Sequence, residues 1–162
     1  MVATLTLRVY TSTNAATESS AVTGIDLISA DNATNSLANR QANPITVGTN
    51  SYEKWLKLKV DAIPDNGVTN FLAWMDGTVD SSTTLMVTGD YVTGTTPVAT
   101  ASTIADTDFT NFTSGNKLTW DTASYTATNA TTDYLVMQLQ VDSDASPGNW
   151  TQETISFSYD ET

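Results

Sequence analysis

The chain has 162 residues, enough for one domain with a hydrophobic core, and its lack of cysteine and histidine removes disulfides, thiolate metal sites and the commonest general base. Its 18 acidic and 6 basic residues give a formal net charge of -12. Nucleic acids and anionic membranes are therefore disfavoured as partners, because both attract clustered Lys and Arg.

The predicted secondary structure is almost entirely β-strand. Thr makes up about a fifth of the chain, while the helix formers Glu, Lys and Arg are scarce. Strands and short strand candidates are predicted where apolar and polar residues alternate. In chain order they cover residues 3–10, 22–28, 45–47, 52–61, 71–75, 84–92, 118–120, 124–127, 134–142 and 150–160. The segments between them are predicted as loops, with at most a helical turn near Leu37.

The alternation also predicts which residues face the core. The expected inward residues are Leu5, Leu7 and Val9, then Leu56, Leu58 and Val60, then Leu135, Met137, Leu139 and Val141, and finally Ile155, Phe157 and Tyr159. Residues between them are expected on the solvent side. The last two strands flank a loop that contains Pro147 and Gly148, which predicts an antiparallel strand pair with one buried face.

Many short strands separated by turn signals predict an all-β, antiparallel two-sheet sandwich that spans residues 1–162 as one domain. An immunoglobulin-like sandwich is the first expectation, and a jelly roll is the alternative because several connections are long. No Ser–His pair and no glycine-rich phosphate cradle is present, so we expect a protein that is not an enzyme.

Half of the basic residues lie within six positions, at Lys54, Lys57 and Lys59. Lys57 and Lys59 share a strand face with Trp55, whereas Lys54 lies on the other face. On an acidic molecule this stripe is a candidate partner-binding surface made of Trp55, Lys57 and Lys59. The alternative is a solvated outer face on which lysines discourage aggregation at the sheet edge.

Tryptophans and paired carboxylates are the remaining candidates. Trp55 and Trp150 are the tryptophans expected to be exposed, and Trp150 is the candidate glycan-binding residue of an alternative function. The carboxylate pairs are Asp76 with Asp80, Asp106 with Asp108, and Asp142 with Asp144. They lie in predicted loops, where Asp commonly forms turns, so we assign no catalytic or metal-binding residue and expect no cofactor. Loop oxygens still leave room for a structural calcium ion.

Two stretches carry a family resemblance. Residues 50–60, which read Asn-Ser-Tyr-Glu-Lys-Trp-Leu-Lys-Leu-Lys-Val, and residues 145–150, which read Ala-Ser-Pro-Gly-Asn-Trp before a closing strand, resemble β-sandwich structural proteins of tailed bacteriophages. The resemblance is to virion accessory proteins of the head-decoration or minor capsid type.

That family implies a non-catalytic virion protein that decorates or cements the outer surface of the phage head. Its expected partners are the major capsid protein or other virion proteins and further copies of itself in a homo-oligomer. Nucleic acid and membrane are not expected as partners. The alternative function is a carbohydrate-binding or adhesin-type module, which would be extracellular.

Overall fold

The computed structural model describes residues 2–63, 66–146 and 152–162, and the regular structure in them is mainly β-strand. The strands are β1 (Thr4–Thr11), β2 (Thr17–Glu18), β3 (Lys54–Ala62), β4 (Val68–Met75), β5 (Thr83–Tyr91), β6 (Thr107–Asp108), β7 (Leu118–Asp121), β8 (Tyr134–Val141) and β9 (Ile155–Glu161). These residues also contain the helix α1 (Leu37–Ala42) and two 3-10 turns, at Thr13–Ala15 and Phe109–Asn111. No helix within these ranges has the length and apolar character that a membrane span requires.

The strands form two antiparallel sheets whose apolar faces pack together. The six-stranded sheet has the strand order β2-β1-β3-β8-β5-β6, and the three-stranded sheet has the order β7-β4-β9. The predicted all-β antiparallel sandwich is confirmed.

The connectivity separates the two sandwich types that the sequence left open. In an immunoglobulin-like sandwich the last two strands lie side by side in one sheet. Here β8 lies in the six-stranded sheet and β9 in the three-stranded sheet. From β3 onward the chain passes repeatedly between the sheets, which follows the jelly-roll alternative and departs from the immunoglobulin-like order.

The predicted pairing of the last two strands with each other is wrong. β8 pairs with β3 and β5, whereas β9 pairs with β4. Alternation reports which face of a strand is buried but carries no information on which strand is its neighbour, and this is why the prediction failed. Pro147 and Gly148, on which the turn prediction rested, lie outside the described residues.

Three short strand candidates do not form strands. Residues 22–28 make one isolated bridge, between Val22 and Leu7, and residues 124–127 make one, between Tyr125 and Val68. Residues 45–47 are irregular. The segment around Leu37, expected to be a loop with at most a helical turn, contains the helix α1. Its first turn is capped by the Ser36 hydroxyl, which accepts a hydrogen bond from the Asn39 N–H at 3.1 Å.

The core between the sheets contains the inward residues predicted from the alternation, except Phe157, which is partly exposed. Its buried members come from β1, β3, β4, β5, β7 and β8, together with Ala3 and Phe109, and partly buried side chains from β1 and β9 pack against them. The largest of these buried side chains are Trp120, Phe71, Phe109, Leu56, Leu58, Met75, Leu135 and Met137.

The centre of the outer face of the six-stranded sheet is also buried, which the alternation did not predict. Trp55, Tyr134 and Val136 on this face form a second apolar cluster with Ala15 and Ala105. The rings of Trp55 and Tyr134 meet edge to face, with their centroids 5.1 Å apart. The cover is the connection between β5 and β6 together with the first 3-10 turn. The centre of β3 and of β8 therefore has protein on both sides.

On one side the two sheets approach each other closely. Gly89 in β5 has no room for a side chain, because a β-carbon there would overlap the backbone carbonyl of Thr119 in β7. Glycine permits this backbone contact between opposite sheets. The sandwich is therefore tightly closed along β5 and β7, on the opposite side of β4 from β9.

Candidate functional site

Trp55 is the centre of the predicted partner-binding stripe, and the expectation that it is exposed is wrong. It lies on the outer face of β3 as the alternation predicts, but its side chain is 0% exposed. The connection between β5 and β6 covers that face. A partner cannot contact this indole unless the connection moves away.

Lys57 and Lys59 lie on the same face and are half-buried. Lys57 Nζ sits 4.0 Å from the centroid of the Tyr134 ring, and Lys59 Nζ lies 3.6 Å from a carboxylate oxygen of Glu18. Arg8 on β1 joins them, because the register places it opposite Lys57, and its Nε lies 3.7 Å from Glu18. The stripe is thus a cluster of three cations, partly neutralised by one carboxylate. Sequence reasoning missed Arg8 because strand register is not visible in the sequence.

Glu53 forms the centre of a buried hydrogen-bond network beside this stripe. Its carboxyl group accepts hydrogen bonds from Trp55 Nε1 at 3.0 Å and from the Ser102 hydroxyl. Its backbone N–H donates to the carbonyl of Val98 at 2.9 Å. Glu53 is 1% exposed. The carboxyl group therefore ties the β5–β6 connection to the sheet and orients the buried indole.

Gln138 on β8 extends the network. Its Oε1 accepts a hydrogen bond from the Ser102 N–H at 2.9 Å. Its Nε2 donates to the carbonyls of Ser51 at 3.0 Å and Thr100 at 2.8 Å. Because both ends of this buried amide are satisfied, the network fixes the connection without leaving an unpaired polar group.

Lys54 points into the molecule from the other face of β3 and is 2% exposed. Its ammonium donates to the backbone carbonyls of Ala30 at 3.1 Å and Asn32 at 2.8 Å. Burial lowers the pKa of this lysine to about 8, although the nearby carboxylates of Asp31 and Asp26 act in the opposite direction. Lys54 therefore anchors an irregular loop instead of contributing to a surface stripe.

Two members of the predicted carboxylate pairs, Asp80 and Asp108, make the local hydrogen bonds of turn residues. Asp80 accepts a hydrogen bond from the Ser82 N–H at 3.0 Å, and Asp108 accepts one from the Thr110 N–H at 2.9 Å. Both are local side-chain contacts two residues along the chain, which are typical of Asp in turns.

A different acidic cluster is present, formed by Asp90, Asp121 and Asp133. Their carboxylate oxygens lie within 4.8 Å of one another. Burial, and then the charge of Asp121, raise the pKa of Asp133, while Lys57 acts in the opposite direction. The three residues are far apart in the sequence, so no local pattern could have identified them. The structural calcium ion for which the sequence left room stays a prediction.

Asp121 is 1% exposed, and its carboxylate oxygens already accept three hydrogen bonds. The donors are the Ala123 N–H at 2.6 Å, the Tyr125 hydroxyl at 2.6 Å and the Asp133 N–H at 2.7 Å. Burial, and then the contact with Asp121, raise the pKa of the Tyr125 hydroxyl. This carboxylate holds both ends of the β7–β8 connection.

Replacement of this carboxylate is expected to destabilise the protein. The Asp121→Asn variant should lose about 2 kcal/mol of unfolding free energy. Its amide NH2 would face at least one of the three groups that donate to Asp121, and that hydrogen bond would be lost. The Tyr125→Phe variant, which removes one of the three bonds, should lose about 1 kcal/mol. Urea unfolding followed by circular dichroism measures both. An Asp121→Asn variant as stable as the original chain would contradict the assigned role.

The tryptophans do not form an open platform within the described ranges. Trp150, the candidate glycan-binding residue, lies outside them. Trp120 is buried. Trp74 is on the outer face of the three-stranded sheet, where its Nε1 donates to Asp76 at 2.7 Å and Lys117 Nζ lies 4.4 Å from its ring centroid. That lysine already covers one face of the ring on which a sugar would stack.

A cavity of about 1000 Å³ opens between the two sheets along the first half of β9. The six-stranded sheet contributes Leu7, Leu56 and Leu139 to its walls, and the three-stranded sheet contributes Met75, Ile155 and Phe157. The irregular residues 21–28 line its other side. Phe157 shares the core face with Ala73, its register partner, yet it is 39% exposed.

Comparison of the chain with protein-family models, with curated proteins and with solved structures found no match.

Proposed function

We propose that the chain is a non-catalytic structural protein of a virion, of the type that decorates or cements a phage capsid. Its partners under this proposal are the major capsid protein or other virion proteins, and its site is the outer surface of the head. Many weak contacts repeated over a lattice supply the binding strength that a single contact lacks.

One observation carries the proposal. The most deeply buried charged side chains each hold a connection in place: Glu53 the β5–β6 connection, Lys54 the loop before β3, and Asp121 the β7–β8 connection. A catalytic acid or base has to reach a substrate, whereas these groups face backbone and side-chain partners inside the protein. Rigidly held connections on a sandwich suit a protein whose role is to present a fixed surface.

Assembly of capsids in the presence of the purified protein tests this function. We expect the protein to sediment with the capsids at a saturable ratio and to appear as ordered density on their outer surface in electron microscopy. The protein remaining in the supernatant, with no density on the shell, would contradict the proposal. Saturable binding to a glycan array with no capsid binding would favour the adhesin alternative instead.

Paired variants locate the contact. The Lys59→Gln variant removes a cation from the stripe on the six-stranded sheet, and Lys117→Gln makes the same change on the outer face of the three-stranded sheet. If the stripe faces the shell, Lys59→Gln lowers the bound ratio severalfold and Lys117→Gln leaves it unchanged. Equal effects would remove the stripe from the contact.

A further inference from the structure

The sandwich is closed on one side and open on the other. On the β5–β7 side the backbones touch at Gly89, so no side chain fits between the sheets. On the β9 side the sheets enclose the cavity of about 1000 Å³, and the inward-facing ring of Phe157 remains 39% exposed. Protein interiors are normally packed without voids of this size. Among the described residues, the apolar surface of this cavity therefore lacks a packing partner.

The same side has an open sheet edge. Within the described residues, β9 exchanges strand hydrogen bonds with β4 alone. In an antiparallel pair, every second residue directs its N–H and C=O away from the partner strand. The free edge of β9 thus offers backbone donors and acceptors beside the apolar cavity. Residues 21–28, on the opposite side of the cavity, have strand-like alternation but make only the Val22–Leu7 bridge.

An extended strand can pair with the free edge of β9 and fill the apolar cavity at the same time, and other shapes cannot. Strands pair about 4.8 Å apart, and five residues of strand span about 17 Å. Such a segment bonds to the β9 edge and directs alternate side chains into the cavity. A helix, at about 10 Å diameter, cannot bond to a strand edge. A small apolar ligand would fill the cavity and leave the edge groups unpaired.

The charges around the cavity indicate what kind of strand binds there. The charged residues that line it, within the described part of the chain, are Asp26, Asp80 and Glu153 and the cation Arg40, which lies 2.7 Å from Asp26 in an ion pair. A second copy of this chain carries the same net charge of -12 and is repelled. Asp80 and Glu153 lie in the segments just after β4 and just before β9, so a strand with basic residues at its end beside these two carboxylates is attracted.

We propose that the cavity between β9 and residues 21–28 is a strand-accepting groove that binds an extended segment of a partner protein, apolar at alternate positions and basic at the end that lies beside Asp80 and Glu153. The inference rests on the proposed function, because it supplies the contact by which this chain joins a neighbouring protein. The added strand becomes the fourth strand of the three-stranded sheet.

A synthetic peptide is the probe. The peptide Val-Thr-Val-Thr-Val-Lys-Lys has the required alternation and a basic end, and Val-Val-Val-Thr-Thr-Lys-Lys has the same composition and charge without the alternation. Calorimetry should show at least tenfold weaker binding of the second peptide. Hydrogen exchange should show that the first peptide slows exchange at alternate amides of residues 155–161. Equal affinity of the two peptides, or slowed exchange only elsewhere, would overturn the proposal.

Variants separate groove binding from general attraction to an acidic protein. Glu153→Lys lies at the groove, and Asp61→Lys makes the same kind of charge reversal at an exposed position of β3 away from it. We expect Glu153→Lys to weaken binding tenfold or more and Asp61→Lys to change it less than threefold. Phe157→Ser, at a partly exposed position, should also weaken binding while its circular dichroism stays unchanged. Equal effects of the two charge reversals would contradict the groove.

Two further outcomes would assign the groove to another occupant and overturn the proposal. Slowed exchange of β9 on raising the protein concentration without peptide would indicate a second copy. Slowed exchange with laurate alone would indicate a lipid-like ligand. Capsid sedimentation that persists without peptide binding would reject only this inference. Peptide binding without capsid sedimentation would reject the virion function and leave the groove.

Discussion

The Glu53→Ala variant is expected to lose about 4 kcal/mol of unfolding free energy, the largest effect of the substitutions considered for stability. The change removes the acceptor of the Trp55 indole N–H and of the Ser102 hydroxyl, and it leaves a void between the sheet and the β5–β6 connection. Each buried donor left without a partner costs about 1–3 kcal/mol. Urea unfolding followed by circular dichroism gives the free energy.

Two variants serve as controls for this result. Glu53→Gln keeps the shape and one acceptor oxygen, so it should lose about half as much as Glu53→Ala. Asp61→Ala, at an exposed position, should change stability by less than about 0.5 kcal/mol. Elastase should cleave the Glu53→Ala variant faster than the original chain between residues 92 and 106, because the connection has lost its anchor. A loss below about 1 kcal/mol would show that the carboxyl group does not hold this layer.

The second expected result is a rise in stability between about pH 8 and pH 10 that depends on Lys54. The pKa of this lysine is about 8 in the folded protein and 10.5 when it is free of the fold. Between these values the unfolded chain binds more protons than the folded one, so the unfolding free energy increases with pH. The full difference between these two pKa values corresponds to about 3 kcal/mol of unfolding free energy. Burial also lowers the pKa of Lys57, which adds a rise of the same sign.

Tyrosines set the upper limit of this rise. Burial raises the pKa of Tyr10 to about 12, and burial raises the pKa of Tyr134 as well. Above pH 10 the unfolded chain loses tyrosine protons that the folded protein keeps, so stability falls again. Stability is therefore expected to pass through a maximum near pH 10.

Unfolding free energies measured from pH 7 to pH 11 check this prediction. In the Lys54→Met variant most of the rise should disappear, because the buried group no longer titrates. Lys117→Met, which removes a cation from the other sheet, should keep the rise. A Lys54→Met variant with an unchanged pH profile would show that another group causes it.

The sequence identified the main strands and their core faces because alternation is a local property. The segments around β1, β3, β4, β5, β7, β8 and β9 were all recognised, and inward residues such as Leu58 and Met137 are buried as expected. Alternation could not show that the other face of β3 is covered as well. The cover comes from a polar connection of low apolar content, anchored by the carboxyl group of Glu53.

The candidate site was less predictable, because its contacts join distant parts of the chain. Neither the pairing of Arg8 with the lysine stripe nor the cluster around Asp121 leaves a local pattern. The burial of Trp55 could not be predicted for the same reason, because a tryptophan beside lysines in a strand is expected at the surface. The Ser102 hydroxyl donates to the same Glu53 carboxyl group as the Trp55 indole. Ser102 lies almost fifty residues away in the sequence, in a segment with no strand signal.

The jelly-roll connectivity has a consequence for how the protein reaches its fold. β4 pairs with β9, which lies about eighty residues further along the chain, and the Ala3 N–H donates to the Glu161 carboxylate at 2.7 Å. Contacts between such distant residues slow folding, because much chain entropy is lost before they form. During synthesis β4 cannot pair with β9 until residues 155–161 have been made. Folding on a millisecond-to-second scale and a need for chaperones while the chain is incomplete are expected.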